Sequence, residues 1–156
     1  MSYVLEVLRK YRRIAMVGLS PNPSRPSFFA ATYLIDHGYE VYPVNPMAAG
    51  KEILCQPVFS SLEEVPQPLE VVNIFRKPED VPAIVDEAIR LGAKAIWMQL
   101  GVIHMEARQK ALDAGLDVVM DRCMKIEHAR FHGGLNSAGI RTGLISSRKP
   151  RQVIRI

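Results

Sequence analysis

The feature that most constrains the fold is an alternation of short apolar runs with segments of helical pattern. The runs are "IAMVGL" from Ile14, "EVYPV" from Glu40, "LEVVNIF" from Leu69, "AIWMQL" from Ala95 and "DVVM" from Asp117. Continuous apolar runs of this length are typical of strands that are buried on both faces of a sheet. Strands that alternate with helices predict βαβ units with right-handed crossovers. We therefore expect an α/β fold, a Rossmann-like three-layer sandwich with a five-stranded, mostly parallel sheet.

Helix signals occupy the segments between these runs. A helix is predicted over Pro26–His37, with Gly38 as its stop, and the prolines of "EVYPVNP" are expected to end the strand that follows. Pro78 and Gly92 bracket a further helix, and Gly115 ends the next one. Two more helices are predicted, one at the amphipathic N-terminal segment and one begun by "DRCMKIEHARF".

Length and charge predict one folded domain with a basic extension. A chain of 156 residues suits one domain, and we assign it to residues 1–132. Residues 133–156 form a basic C-terminal tail of unknown role, in which "RTGLISSRKPRQVIRI" has five basic residues and no acid. The net charge of +4 is concentrated there, so it indicates an anionic ligand or a basic tail rather than a surface that binds nucleic acid throughout.

Cysteine content and apolar segments bear on the compartment. No segment is long and apolar enough to cross a membrane. The apolar run Ile14–Leu19 follows charged residues, which is not the pattern of a secretory signal. The two cysteines are Cys55 and Cys123, so we expect reduced thiols and a cytoplasmic protein rather than a disulfide framework.

The loop after the first strand is the first candidate binding segment. Ligands of open parallel sheets lie beyond the carboxyl ends of the strands, at the point where the strand order reverses. Here Gly18, Ser20, Ser24 and Arg25 precede a helix, whose free N–H groups and dipole favour an anion. We expect Ser24 to cap that helix and Arg25 to offer a forked donor to phosphate. The structural alternative is a capped helix with a solvated arginine.

The loop after the second strand disfavours a dinucleotide. A site for NAD carries G-x-G-x-x-G after the first strand and an acid at the end of the second, which binds the ribose hydroxyls. This chain lacks the glycine run and has neutral Asn45, with Pro46 and Lys51 following. An asparagine and a lysine at this position are compatible with a phosphate group on the ribose, as in coenzyme A or NADP. The alternative is a proline-rich turn with an exposed lysine.

Two further strands end in residues suited to a ligand. Phe75 and Arg76 leave the third strand together, which places the arginine on the other side of the expected crevice. Gln99 offers a donor and an acceptor after the fourth strand, and Gly101 permits close approach to the backbone. Trp97, in contrast, is expected in the core.

The segment after the fifth strand holds Cys123, His128 and His132. Their spacing matches no known zinc motif, so no metal site is predicted. A Cys–His pair is an alternative, with Arg122 and Lys125 able to lower the thiol pKa, but a structural role fits the pattern better. Acid–base pairs and a Walker lysine are not evident either, so the sequence favours binding over catalysis.

Taken together, the motifs "VGLSPNPSRPSFFAATYLIDHGYEVYPVNP", "NIFRKPEDVPAIVDEAI", "IWMQLGV" and "DRCMKIEH" resemble the small stand-alone CoA-binding proteins of bacteria and archaea. Those proteins are similar to the CoA-binding domain of the succinyl-CoA synthetase α-subunit. The resemblance covers roughly Arg12 to Arg130, and it implies a Rossmann-like domain that binds coenzyme A. It also implies a set of ligand contacts: Gly18, Ser20, Ser24 and Arg25 at the pyrophosphate, Asn45, Pro46 and Lys51 at the adenosine and 3′-phosphate, Phe75 and Arg76 beside the nucleotide, and Gln99 and Gly101 along the pantetheine.

The expected function is binding of CoA or an acyl-CoA without ligase chemistry. The synthetase adds a phosphohistidine domain and an ATP-grasp partner, for which this chain has no matching segment. Two alternatives stay open: an NADP-dependent oxidoreductase, and a thiol-redox protein in which Cys123 forms a mixed disulfide with CoA. The expected partners are CoA or acyl-CoA, with a homodimer left open. Membrane is not expected, and nor is nucleic acid, since the tail has no aromatic residues for base stacking.

Overall fold

The structure, a computed structural model, describes residues 2–132 of the chain. Helices and strands alternate as the apolar runs predict. In chain order the elements are α1 (Tyr3–Lys10), β1 (Arg13–Val17), α2 (Pro26–Asp36), β2 (Glu40–Val44), β3 (Glu52–Ile53), β4 (Gln56–Pro57), β5 (Val71–Ile74), α3 (Val81–Arg90), β6 (Ala95–Met98), α4 (Met105–Asp113), β7 (Asp117–Val119) and α5 (Met124–His132). None of the helices in this described part is long and apolar enough to cross a membrane.

The chain divides into two compact units. The sheet and the helices up to Met124 form one compact unit, and α5 from Lys125 onward belongs to another. The predicted basic tail, residues 133–156, lies outside the described residues. The predicted boundary at residue 132 therefore stays a prediction.

A five-stranded sheet organises the first unit. Its strand order is β2-β1-β5-β6-β7, and every neighbouring pair is parallel. The register pairs Val17 with Val44 on one side and with Ile74 on the other, so the three strands end level with one another. The expected Rossmann-like fold is confirmed. The chain moves outward from β1 to β2 and then returns past β1 to β5, which places the switch point between β1 and β5.

Both faces of the sheet are covered, which explains why the strands read as continuous apolar runs. Ala15 and Val17 pack into a core cluster with Val81 and Val85 of α3. Met16 points to the opposite face, because side chains alternate along a strand, and it is also fully buried. Right-handed crossovers place α2 and α3 on opposite faces, since the two connections run in opposite directions along the sheet.

The expectation that proline ends the second strand is wrong for Pro43, which lies inside β2. β2 is an edge strand, where a missing N–H does not interrupt the ladder to β1. The segment beyond this edge covers it, because the Phe59 N–H donates to the Pro43 carbonyl over 2.9 Å and the Asn45 N–H donates to the Phe59 carbonyl over 2.9 Å.

At the amino ends of the strands, the carboxylate of Asp117 joins the N-terminal segment to β7. Asp117 accepts hydrogen bonds from the Tyr11 hydroxyl at 2.7 Å, the Lys10 ammonium at 3.1 Å and the Tyr3 hydroxyl at 3.2 Å. The Tyr3 hydroxyl in turn accepts from the Val118 N–H at 2.8 Å. Partial burial raises the pKa of Asp117, but the bonds from Tyr11 and Lys10 outweigh burial and hold that pKa below its ordinary value.

Replacing this carboxylate should destabilise the fold in a pH-dependent way. We expect Asp117→Asn to lower the free energy of unfolding at pH 7 by about 1–2 kcal/mol, because the hydrogen bonds to a charged acceptor are weakened. A depressed pKa stabilises the folded state above the unfolded-state value of about 3.9 and loses that contribution as the pH falls through the folded-state value. The difference between wild type and variant in urea unfolding should therefore shrink below about pH 4.

Asp113→Asn is the matched control for this measurement. Asp113 ends α4 and accepts an exposed hydrogen bond from Gln109 at 2.8 Å. Its replacement should leave stability within about 0.5 kcal/mol of wild type. An Asp117→Asn variant as stable as this control at pH 7 would contradict the anchoring role.

Candidate functional site

The carboxyl ends of β1, β2 and β5 are locked together around one glycine. The Gly18 N–H donates to the Val44 carbonyl at 2.8 Å, and the Phe75 N–H donates to the Val17 carbonyl at 2.8 Å. Gly18 has φ +93°, and a Cβ placed on it would lie 2.4 Å from the Phe75 carbonyl oxygen and 3.0 Å from Arg76 Cδ. Only glycine fits here, so the predicted glycine of the binding loop also has a packing role.

The loop between β1 and α2 is shaped by its own polar side chains. The Ser20 N–H donates to Ser27 Oγ at 3.0 Å, and the Asn22 N–H donates to Ser20 Oγ at 3.1 Å. Asn22 Oδ1 accepts from both the N–H and the hydroxyl of Ser24, at 3.0 and 2.9 Å. These N–H groups are therefore directed at neighbouring side chains, and a bound anion would depend more on the hydroxyls and on Arg25.

The prediction that Ser24 caps α2 is wrong. The helix begins at Pro26, and the flanking residue is Arg25, with φ −87°, ψ 146° and no side-chain capping bond. The proline explains the shift, because it suits the first helical position and forces the residue before it into an extended conformation. The sequence prediction also missed Asn22 and the buried Ser27. The signal that could have identified them is the run of short polar side chains around this turn.

At the end of β2, Asn45 joins three segments. Its Oδ1 accepts from the Met47 N–H at 2.9 Å and caps the short turn Pro46–Ala48, and its Nδ2 donates to the Leu19 carbonyl at 3.0 Å. The amide is thus engaged within the protein. Lys51 lies further along on the surface, and its backbone N–H donates to the Ala48 carbonyl at 3.1 Å.

A cavity of about 340 Å³ opens beside this junction, at the ends of β1 and β2 and the start of α3. It has an apolar floor and a polar rim. Among the predicted site residues, three line it: Gly18, Pro46 and Arg76. The others lie outside its lining: Ser20, Ser24, Arg25, Asn45, Lys51, Phe75, Gln99 and Gly101. The lining residues that sequence reasoning missed include Ser60, Ser61 and three acids of the α3 region, Glu79, Asp80 and Glu87.

The polar rim of the cavity is acidic. Arg76 is the one basic residue among its lining, against the carboxylates of Glu79, Asp80 and Glu87. Arg76 is already engaged, because its Nε and Nη2 donate to Asp80 Oδ2 at 3.2 and 3.0 Å. The cavity therefore suits an uncharged group with hydrogen-bond donors better than it suits a phosphate.

Gln99 and Gly101 meet the loop after β7. Gln99 is 6% exposed and accepts from the Met124 N–H at 3.3 Å, while the Gly101 N–H donates to Asp121 Oδ1 at 2.8 Å. Trp97 Nε1 donates to the Arg122 carbonyl at 2.8 Å, and its ring is fully buried, as expected. These bonds clasp the ends of β6 and β7 together.

The clasp contains a free thiol. Cys123 is half-buried in it, and Cys55 is exposed in the turn between β3 and β4. His128 and His132 stack on one another with ring centroids 4.4 Å apart. Among residues 2–132, no group of three or more His, Cys, Asp or Glu side chains is arranged to hold a metal ion.

The match to a known family covers most of the residues that build the fold. Residues 12–129 match the model of the family described as the CoA binding domain. The chain belongs to this family. The resemblance to CoA-binding proteins that the motifs predict is confirmed.

Relatives of the chain include both a stand-alone protein and part of a ligase. The uncharacterized protein YneT of Bacillus subtilis (strain 168) is 39% identical over 126 residues, which are 81% of this chain and 92% of that protein. The alpha subunit of the ADP-forming acetate–CoA ligase I of Pyrococcus furiosus is 29% identical over 96 residues, 59% of this chain and only 21% of that subunit.

A solved structure matches the fold closely. The crystal structure of Prb, a protein redesigned for binding, is 38% identical and superposes with a TM-score of 0.81. The match covers 86% of this chain and 94% of that one. It confirms the architecture of the sheet and helices.

The packing role of Gly18 can be separated from its unusual backbone angle. We expect Gly18→Ala to destabilise the protein by more than about 3 kcal/mol, because a side chain would add a steric clash with the Phe75 carbonyl to the strain of a positive φ. Gly38→Ala is the matched control, since Gly38 has the same φ of +93° and a Cβ placed on it would meet no atom within 4 Å. It should cost only about 1 kcal/mol in urea unfolding. Equal losses for the two variants would show that the contact with Phe75 contributes nothing.

Proposed function

We propose that this protein binds coenzyme A, or an acyl-CoA, at the carboxyl edge of its sheet. The observation that carries the proposal is the family match over residues 12–129, together with a cavity at the ends of β1 and β2. That cavity lies beside the switch point, where sheets of this kind bind nucleotides. The named ligase relative acts on CoA, and this chain is homologous to part of it.

The adenosine is the group of CoA that fits the cavity best. Val17, Val44 and Leu62 supply an apolar floor of the kind on which a planar base packs. Ser60 and Ser61 supply hydrogen-bonding groups at the rim. The carboxylates of Glu79 and Glu87 can accept hydrogen bonds, so they favour a base with an exocyclic amine and disfavour a phosphate inside the cavity.

The phosphates of CoA would then lie outside the cavity. Arg25 is exposed ahead of α2, and Ser20 presents a hydroxyl close by in the chain, which together suit the pyrophosphate. Lys51 is exposed beyond the end of β2 and suits the 3′-phosphate. We propose that Gln99 and Gly101 lie along the pantetheine of the ligand, on the opposite side of the switch point.

Binding without ligase chemistry is the activity we propose. The chain corresponds to about a fifth of the ligase subunit that it matches. The polar groups at the described site bind and orient, and we assign none of them an acid–base or nucleophilic role. A carrier, a sensor or a binding partner of another protein fits such a site.

Calorimetry with a panel of ligands tests this proposal. Titrations with CoA, dephospho-CoA, NAD and NADP should show binding of CoA, weaker binding of dephospho-CoA, and the weakest binding of NAD. NADP binding as tight as CoA binding would favour the oxidoreductase alternative. Mass spectrometry after incubation with CoA disulfide tests the redox alternative, which an unmodified Cys123 would exclude.

The contribution of the 3′-phosphate can be isolated by one substitution. We expect Lys51→Ala to weaken binding of CoA about two- to fivefold, the effect of removing one exposed charge pair, and to leave binding of dephospho-CoA unchanged. Lys94→Ala is the matched control, because Lys94 is exposed at the opposite, amino edge of the sheet, directly before β6. An equal loss for CoA and dephospho-CoA would contradict the assignment of Lys51 to the 3′-phosphate.

A further inference from the structure

Arg76 lines the cavity beside Gly18. It follows β5 closely, and its Cδ lies 3.0 Å from the place where a Cβ of Gly18 would be. The aliphatic stem of the arginine therefore crosses the glycine at the end of β1. Gly18 is the first residue of the loop between β1 and α2, so the stem of Arg76 lies beside the start of that loop as well as beside the cavity.

In this structure the guanidinium is turned to the α3 side. Its Nε and Nη2 both donate to the same oxygen of Asp80, at 3.2 and 3.0 Å. These two donors form one edge of the fork, and it is a fork edge of this kind that binds a phosphate with two parallel hydrogen bonds. A phosphate that uses this edge must therefore replace Asp80.

The pair is weak enough to be exchanged. The side chain of Arg76 is 43% exposed and that of Asp80 is 37% exposed, so water screens their attraction. Asp80 is also the residue that flanks the start of α3, and its carboxylate makes no capping bond to that helix. Released from Arg76, it would still lie at a helix N-terminus, where the dipole favours a negative charge.

We propose that Asp80 sets the affinity of the site by competing with a phosphate of the ligand for Arg76. This inference rests on the proposed function, because it takes a phosphate of CoA as the group that replaces the carboxylate. Asp80 acts through Arg76 and is not itself a ligand contact. In this structure it holds the guanidinium on the α3 side of the cavity, and in the complex Arg76 turns to the phosphate.

Asp80→Asn is the direct test, measured by calorimetry with CoA. Asparagine is as good as aspartate at the start of a helix, so the fold should be retained, and thermal unfolding without ligand checks this. We expect the variant to bind CoA about two- to fivefold more tightly than wild type, since a neutral amide competes poorly for the guanidinium. Tighter binding is the reverse of what loss of a merely structural contact would give.

Glu79→Gln is the matched control. Glu79 precedes Asp80 in the chain and lines the same cavity, so its replacement removes the same charge without releasing Arg76. We expect a smaller gain for CoA than Asp80→Asn gives. Equal gains for the two variants would mean that only the overall charge of the cavity matters, and would overturn the inference.

A double variant and a second probe complete the test. In an Arg76→Ala background, adding Asp80→Asn should no longer tighten binding of CoA. Adenosine has no phosphate, so it should bind with equal affinity to the wild type and to Asp80→Asn. A gain that persists without Arg76, or an equal gain for adenosine, would overturn the inference. If wild type and Asp80→Asn bind CoA with the same affinity, this inference alone fails; if no variant binds CoA, the proposed function fails with it.

Discussion

The contact between Gly18 and the Phe75 carbonyl is the constraint on which the rest of the site depends. A glycine with positive φ lets β1 end directly against β5, with no space left for a side chain. The same residue donates to the end of β2, so three strand ends are held level. A bulkier residue would push β5 away and separate the two walls of the cavity. The geometry of the carboxyl edge thus follows from the absence of one methyl group.

The two edges of the sheet use polar residues differently. At the amino ends of the strands, Asp117 accepts hydrogen bonds from the N-terminal segment. These bonds hold the pKa of its carboxyl below the ordinary value. At the carboxyl edge, the pair of Arg76 and Asp80 is half-exposed and lines a cavity. Hydrogen bonds that stabilise the fold at one end of the strands are thereby separated from the half-exposed charged pair at the other end.

A considerable part of the fold can be predicted from the sequence, and the loops explain where prediction fails. Continuous apolar runs fix the strands because a strand covered on both faces must be apolar throughout. The sequence places Pro43 at the end of its strand because the position of β2 at the sheet edge is a property of the assembled sheet. It indicates Ser24 as a helix cap, but Pro26 takes the first helical position and makes Arg25 the residue that flanks the helix.

The sequence by itself determined the strand and helix order, the neutral end of the second strand and the family to which the chain belongs, because these depend on local pattern and motif. Only the tertiary structure decided which residues share a cavity. Glu79 and Asp80 lie near Arg76 in the chain, but Ser60 and Glu87 reach the same cavity from separate segments. The pairing of Arg76 with Asp80 joins residues only four positions apart, but the cavity that they line also takes Ser60, Ser61 and Leu62 from the loop before β5, which depends on contacts distant in sequence.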